Sequence, residues 1–319
     1  MALALSMLVI APLGLYLWAD ASLDRRVDLG LLPDRPPRGR GTNYLIVGSD
    51  SRKGLSAQAK KELHTGSADG RRTDSMILLH TGAHGTTMVS LPRDSWVTIP
   101  PFIRPETGTH HRAAPDKLNA AFSIGGPDLL VRTVERNTGL RVDHYVEIGF
   151  RGFVDIVDKV GGIRMCLDKE VKDKDSGADL SRGCHTLDGA QSLALVRERH
   201  QEAQGDLGRT RNQQRFLSAL ADRASTPEVL YNPRKIYTTA DAALGTLKVD
   251  KSMDLWDLAS LLRAMRSVTR GKGARVNVPL SAVGVPSSKG STVRWDRTEA
   301  NKLFTELRRD QPVGGEKHG

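Results

Sequence analysis

The chain has 319 residues, enough for one large or two small domains with a real core. A hydrophobic content of 39% beside 26% charged residues excludes a disordered chain. The formal net charge of +10 suits an anionic partner (nucleic acid, an anionic lipid surface or a phosphorylated substrate) without choosing among them. Residues 1–18 carry no charge, about the minimum for a membrane span. We read residues 1–19 as a transmembrane signal anchor with Tyr16 and Trp18 at one interface. Ala19-Asp20-Ala21 is a loose match to a cleavage site. Arg25 and Arg26 follow the span and no basic residue precedes it. Taken alone, that asymmetry favours a cytoplasmic body. The expectation here is instead a basic cytoplasmic tail ahead of Met1 and a body outside the membrane.

Residues 20–42, with three prolines and no periodicity, are expected to be an extracytoplasmic linker. Residues 43–48 read as a buried strand and 54–70 as a polar loop. The apolar runs 76–80 and 87–91 flank a Gly-rich turn and read as a β-hairpin. Residues 96–116, rich in proline, read as a surface loop, in which Trp96 either stacks on a sugar or packs the loop. Residues 117–124 and 127–137 are helical pieces separated by Gly125-Gly126, with Pro127 in a first turn and Gly139 as a C-terminal cap. A strand over 142–148, a helix over 149–159, a strand over 163–167 and a charged loop over 169–181 follow. Helices are expected over 188–198 and 205–224, mostly helix over 230–268, strands at 276–279 and 293–295, and a closing helix over 298–309. Residues 311–319 read as a disordered tail. The pattern predicts an α/β domain over 43–310 with a mixed central β-sheet flanked by helices. Cys166 and Cys184 are either a chance pair or one disulfide, and a body outside the membrane favours the disulfide.

The candidate site follows from the hairpin. In an antiparallel pair the start of one strand lies beside the end of the next. Arg71, Arg72 and Asp74 precede the first strand, and Arg93 and Asp94 follow the second, so these groups meet at one sheet edge. Asp50, Arg52, Arg197, Arg199, Arg209 and Arg211 also fall at strand or helix ends. Guanidinium gives a planar fork that binds phosphate oxygens bidentately. Carboxylates beside those arginines suit a hard, oxygen-liganded cation such as Mg²⁺, with Mn²⁺ as the alternative. Lys117, at a helix start, is a further candidate phosphate contact. The histidines show no metal-ligand spacing on one element.

Seven ordered motifs carry a resemblance: G-S-D-S-R at 48–52, R-T-D-S at 72–75, S-L-P-R-D-S at 90–95, K-L-N-A-A-F-S-I-G-G-P at 117–127, the run from Asp143 to Ile163, L-D-G-A-Q-S-L-A-L-V-R-E-R-H at 187–200 and D-L-G-R-T-R-N-Q-Q at 206–214. Together they resemble the LytR-CpsA-Psr family, whose actinobacterial members are cell-wall glycopolymer ligases. The resemblance implies a membrane-anchored, extracytoplasmic phosphotransferase. Such an enzyme moves a glycopolymer from a polyprenyl-pyrophosphate carrier onto peptidoglycan with Mg²⁺ and releases polyprenyl phosphate. It implies Asp50 and Asp74 around the metal, and Arg52, Arg72, Arg93, Arg197, Arg199 and Arg209 around the pyrophosphate. Asp94 is implied as a base or a brace. Many members carry a second arginine where this chain has Asn212, and Arg211 is the candidate substitute. The cysteine pair fits an actinobacterial variation. Leu118, Phe122, Leu129, Leu130 and Val134 are candidates for a lipid-tail groove, with core packing as the alternative. Two other functions compete. A lipid-pyrophosphate hydrolase would use the same site with water as acceptor. A membrane-anchored nucleic-acid-binding regulator would need a helix-turn-helix or an aromatic-interleaved basic strip, and the sequence shows neither.

Overall fold

The computed structural model describes residues 14, 16–52, 54–66, 73–104, 107–198, 215–216, 219–224, 226, 238, 240–241 and 244–313, without the side chains of Asp74 and Thr269. In chain order the strands are β1 (Asp24–Val27), β2 (Thr42–Ser49), β3 (Thr73–Gly82), β4 (Gly85–Ser90), β5 (Trp96–Ile99), β6 (Phe102–Ile103), β7 (His110–His111), β8 (Ala114–Lys117), β9 (His144–Ile148), β10 (Ile163–Leu167), β11 (Val171–Asp173), β12 (Ala178–Leu180), β13 (Gly183–Leu187), β14 (Leu247–Asp250), β15 (Gly273–Asn277), β16 (Leu280–Ser287) and β17 (Gly290–Trp295). The helices are α1 (Ala57–Glu62), α2 (Leu118–Thr138), α3 (Phe150–Lys159), α4 (Gly189–Arg197), α5 (Leu255–Thr269) and α6 (Arg297–Arg308).

Seven strands form a mixed sheet in the order β1-β14-β9-β2-β3-β4-β15. The β2–β3–β4 meander is antiparallel, while β9 runs parallel to β2 and β15 parallel to β4. Successive strand residues point to opposite faces, and both faces are covered. On one face Leu45, Val47, Met76, Leu78 and Val89 pack against α2 and α6. On the other, Tyr44, Ile46, Ile77, Leu79 and Met88 pack against α5. A third cluster joins α3 and α4 to the small ladders β10–β13 and β11–β12. The central mixed sheet flanked by helices is as expected.

Local chemistry sets the element ends. Asp254 and Asp257 close a capping box on α5, and Asp188 and Gln191 do so on α4, each pairing otherwise orphaned N–H groups. Within α2 the helical geometry breaks at Gly125 and Gly126 and resumes at Pro127, and Gly139 ends the helix at φ 67°. The hairpin turn Ala83-His84 is locked by Asp310. Its carboxylate accepts from the Ala83 N–H at 2.8 Å and lies 3.3 Å from both His84 Nδ1 and His80 Nε2. A Cβ on Gly82 would fall 2.1 Å from Asp310 Oδ1, so a larger residue there would displace this carboxylate.

Several expectations need correction. Residues 20–42 are not wholly a linker: β1 pairs parallel with β14 and forms an edge of the main sheet. Farther on, Arg35 forms a buried ion pair with Glu135 of α2 at 2.6 Å. Residues 96–116 are not a loop but two short antiparallel ladders, β5–β8 and β6–β7, whose alternation the prolines obscure. The expected helix over 230–268 contains β14, and α5 begins only at Leu255. The charged loop over 169–181 holds the β11–β12 ladder. Cys166 and Cys184 face each other across β10–β13 and form a disulfide. In the chain-entropy account, closing a loop of this size restricts the unfolded chain by about 3 kcal/mol. Among the described residues no helix is long and apolar enough to cross a membrane, and most of the expected anchor over 1–19 lies outside them.

At the end of β9 remote from the candidate site, His144 is held between two carboxylates. Its Nδ1 lies 3.3 Å from Asp250 and its Nε2 lies 3.5 Å from Asp257. Burial pulls the imidazole pKa down, but the bond to Asp250 and the charges of Asp250, Asp257 and Asp143 leave it above the ordinary value. A raised histidine pKa contributes stability that is complete below about pH 6.5 and is lost as pH rises through the folded value. His144→Gln is therefore expected to destabilise by about 2 kcal/mol near pH 5.5 and by clearly less near pH 8.5. Urea unfolding of both proteins at the two pH values checks this; an equal loss at both contradicts it.

Candidate active site

The topology brings the carboxyl ends of β2, β4, β9 and β15 and the amino end of β3 to one sheet edge. Asp50 and Arg52 immediately follow β2. Asp74 lies in the first turn of pleat of β3, where the register with β2 skips it: Gly48 pairs with Ser75 and Ser49 with Thr73. Bulges of this kind gather next to active sites. Asp50, just past the end of β2, and Asp74, at the start of β3, therefore fall at the same edge.

Next along this edge, the turn after β4 carries Arg93 and Asp94. Arg93 Nε donates to Asp94 Oδ2 at 3.3 Å, and Lys117 Nζ pairs with Asp94 Oδ1 at 2.8 Å. All three side chains are about one-fifth exposed. The turn is fastened on both sides. Asn119 N–H donates to the Arg93 carbonyl at 3.1 Å and Leu118 N–H to the Ser95 carbonyl at 2.9 Å, which ties it to the start of α2. Val293 N–H donates to the Asp94 carbonyl at 2.9 Å, which ties it to β17. Two cations and one carboxylate are thus held on fixed backbone, mostly shielded from water, an arrangement suited to an anionic ligand.

On the other side, Arg52 Nη1 lies 3.6 Å from Asp50 and its Nε donates to the Thr65 carbonyl at 2.8 Å. Arg197, in the last turn of α4, donates to the carbonyls of Leu63 and His64 at 2.9 and 3.0 Å and stands over the Phe150 ring. Both arginines therefore brace residues 63–65 behind α1.

The LytR_cpsA_psr family pattern matches residues 34–309. The chain belongs to the LytR-CpsA-Psr family. It is 40% identical over 294 residues to the probable cell wall biosynthesis protein LcpB of Corynebacterium glutamicum. That match covers 92% of this chain and 66% of the relative, so the chain spans just under two thirds of that protein's length. It is 30% identical over 267 residues to the polyisoprenyl-teichoic acid–peptidoglycan teichoic acid transferase TagU of Oceanobacillus iheyensis, covering 81% of this chain and 71% of TagU. A LytR-Csp2A-Psr enzyme from Actinomyces oris shares the fold, with a TM-score of 0.65 at 24% identity, covering 89% of this chain and 96% of that one.

Of the residues expected to act in this LytR-CpsA-Psr chain, Arg72, Arg199, Arg209 and Arg211 lie outside the described residues, as does the Asp74 side chain. Leu118, Phe122, Leu129, Leu130 and Val134 are side chains of the main core, at 0–3% exposure, between the sheet and α2. One cluster was not foreseen. Glu147 of β9 is fully buried directly behind the edge. It accepts from Ser49 Oγ at 3.0 Å and Tyr145 Oη at 3.1 Å, and pairs with Lys248 Nζ at 2.5 Å. The signal was present in H-Y-V-E-I, where Tyr145 and Glu147 share one face of a strand whose two sides are both apolar.

Proposed function

We propose that this chain is a phosphotransferase that moves a cell-wall glycopolymer from a polyprenyl-pyrophosphate carrier onto peptidoglycan. The observation that carries the reading is the Arg93–Asp94–Lys117 cluster, fixed at the same sheet edge as Asp50 and Asp74. Family membership and the transferase name of TagU support the substrate class.

In the proposed reaction an acceptor hydroxyl oxygen bonds to the phosphorus nearest the glycan. The bond from that phosphorus to the polyprenyl phosphate breaks, the polyprenyl phosphate leaves with the electron pair, and the hydroxyl proton passes to bulk water. Arg93 presents its fork to the pyrophosphate oxygens and stabilises charge that builds on the leaving phosphate. Arg52, Arg72, Arg197, Arg199, Arg209 and Arg211 are proposed to complete the cationic lining. Asp94, with one oxygen toward each of two cations, acts as the brace that orients Arg93 and Lys117.

Among the described residues no group of three or more His, Cys, Asp or Glu side chains forms a metal cage. Two aspartates at adjoining strand ends would give a donor set that suits Mg²⁺, which binds through one or two carboxylates plus substrate phosphates and water. Asp50 and Asp74 would hold Mg²⁺ or Mn²⁺, which would supply charge neutralisation on the pyrophosphate. Residues 1–19 are proposed to anchor the protein in the cell membrane with its domain outside. The Cys166–Cys184 bond supports that placement, because disulfides persist in oxidising compartments. The side chains from Leu118 to Val134 named above are proposed to part around the lipid tail.

The test is incubation of the full chain, in detergent, with a polyprenyl-pyrophosphate-linked oligosaccharide and peptidoglycan. Polyprenyl phosphate is expected with Mg²⁺ and not with EDTA. No release in Mg²⁺ overturns the reaction, and equal release in EDTA overturns the metal.

A further inference from the structure

Beside the Arg93–Asp94 turn lies a groove of about 740 Å³ between β5, the end of α2, β17 and the start of α6. That volume falls in the usual range for ligand sites. Its lining includes Trp96, Trp295, Arg136, Arg294, Arg297 and Asn301. Trp96 and Trp295 are half-buried, whereas the three arginines and Asn301 are exposed. The alternation of β17 turns Val293 inward and Arg294 outward. Trp295 Nε1 donates to Ser95 Oγ at 2.8 Å, and its ring stands 5.8 Å from that of Phe304, so the indole is held in place.

The charge of the groove is one-sided. Its one carboxylate, Asp296, caps α6 by accepting from Thr298 and Glu299 N–H. Its Asn137 amide is bonded to the backbone of Thr98 and Thr133. Three guanidinium groups, the fixed indole of Trp295 and the half-buried indole of Trp96 are left to define the ligand. Aromatic faces pack against the apolar C–H faces of sugars, and guanidinium forks pair with carboxylates. The groove also adjoins the candidate active site covalently: Ser95, which holds Trp295, follows Asp94 in the chain.

We propose that this groove binds the acceptor, a peptidoglycan glycan strand, that is, an N-acetylated hexosamine chain bearing carboxylates. The inference rests on the transferase reading and adds the place where the hydroxyl-bearing partner is held. A donor glycan brings its pyrophosphate to Arg93; a carboxylate-bearing chain matches Arg136, Arg294 and Arg297 along its length.

The test measures binding of two probes to the full chain in detergent: a soluble, polyprenyl-free muropeptide tetrasaccharide, and inorganic pyrophosphate. Arg294→Ala/Arg297→Ala changes two exposed side chains. It is expected to weaken muropeptide binding by about tenfold or more, as loss of charge-assisted pairs implies, and to leave pyrophosphate affinity within about twofold. Arg93→Ala is expected to do the reverse. Unchanged muropeptide affinity in the double variant overturns the groove assignment, as does tighter binding of a polyprenyl-free donor polymer than of muropeptide. Failure of pyrophosphate to bind the unmodified protein counts against the transferase reading and leaves the groove result standing.

Discussion

Arg93→Ala is expected to lower the rate of polyprenyl phosphate release about 10²- to 10³-fold, the usual cost of removing one preorganised donor from developing oxyanion charge. The residue is well placed for a clean result. Its backbone carbonyl, which accepts from Asn119, survives the substitution. Asp94 retains Lys117 at 2.8 Å, so the turn keeps an ion pair. The unfolding midpoint should therefore stay close to that of the unmodified protein while turnover collapses. Arg93→Lys restores charge without the planar fork and should recover only part of the rate. Full turnover by Arg93→Ala, with stability unchanged, would remove Arg93 from the reaction.

Glu147→Ala carries the largest expected effect on stability. It deletes a fully buried carboxylate and leaves Ser49 Oγ, Tyr145 Oη and Lys248 Nζ without the acceptor they share. Breaking a buried ion pair from one side costs about 3–5 kcal/mol. Lys248→Met leaves the Glu147 carboxylate its two hydroxyl donors and should cost less. Glu147→Gln should fall between, because it keeps one acceptor oxygen for the two hydroxyls and removes the buried charge. Urea unfolding of the three variants checks the order. A loss below about 1 kcal/mol for Glu147→Ala would mean that water reaches the cluster and replaces the carboxylate.

How far the sequence reached depends on what each element had to bury. The β3–β4 hairpin, the break at Gly125-Gly126, the restart at Pro127 and the cap at Gly139 were all legible, because each has a local steric cause. The cysteine pairing also emerged as the favoured alternative. β1 and β14 were not legible. Each is four residues long and contains charged side chains, and they become strands only because β9 offers an edge for β14 and β14 then offers one for β1. β5 and β8 were hidden by prolines at 100, 101 and 115, which lie at or near the ladder ends. At the site, strand-end charges located Asp50, Arg52, Arg93 and Asp94 because hairpin geometry alone sets which ends meet. Glu147 escaped because a glutamate in a strand reads as solvent-facing until the covering of both sheet faces is known. The bracing of residues 63–65 by Arg52 and Arg197 escaped as well, since backbone carbonyls leave no mark in the sequence.

The central claim is transfer, and the acceptor decides it. The direct measurement follows a labelled glycan on a polyprenyl-pyrophosphate carrier through reaction with Mg²⁺, with peptidoglycan present and absent. Label joined to peptidoglycan through a phosphodiester is expected, in amounts matching the polyprenyl phosphate released, with little release when peptidoglycan is withheld. Free phosphorylated glycan in equal amounts under both conditions, with no label on peptidoglycan, would contradict it and make the same edge that of a hydrolase.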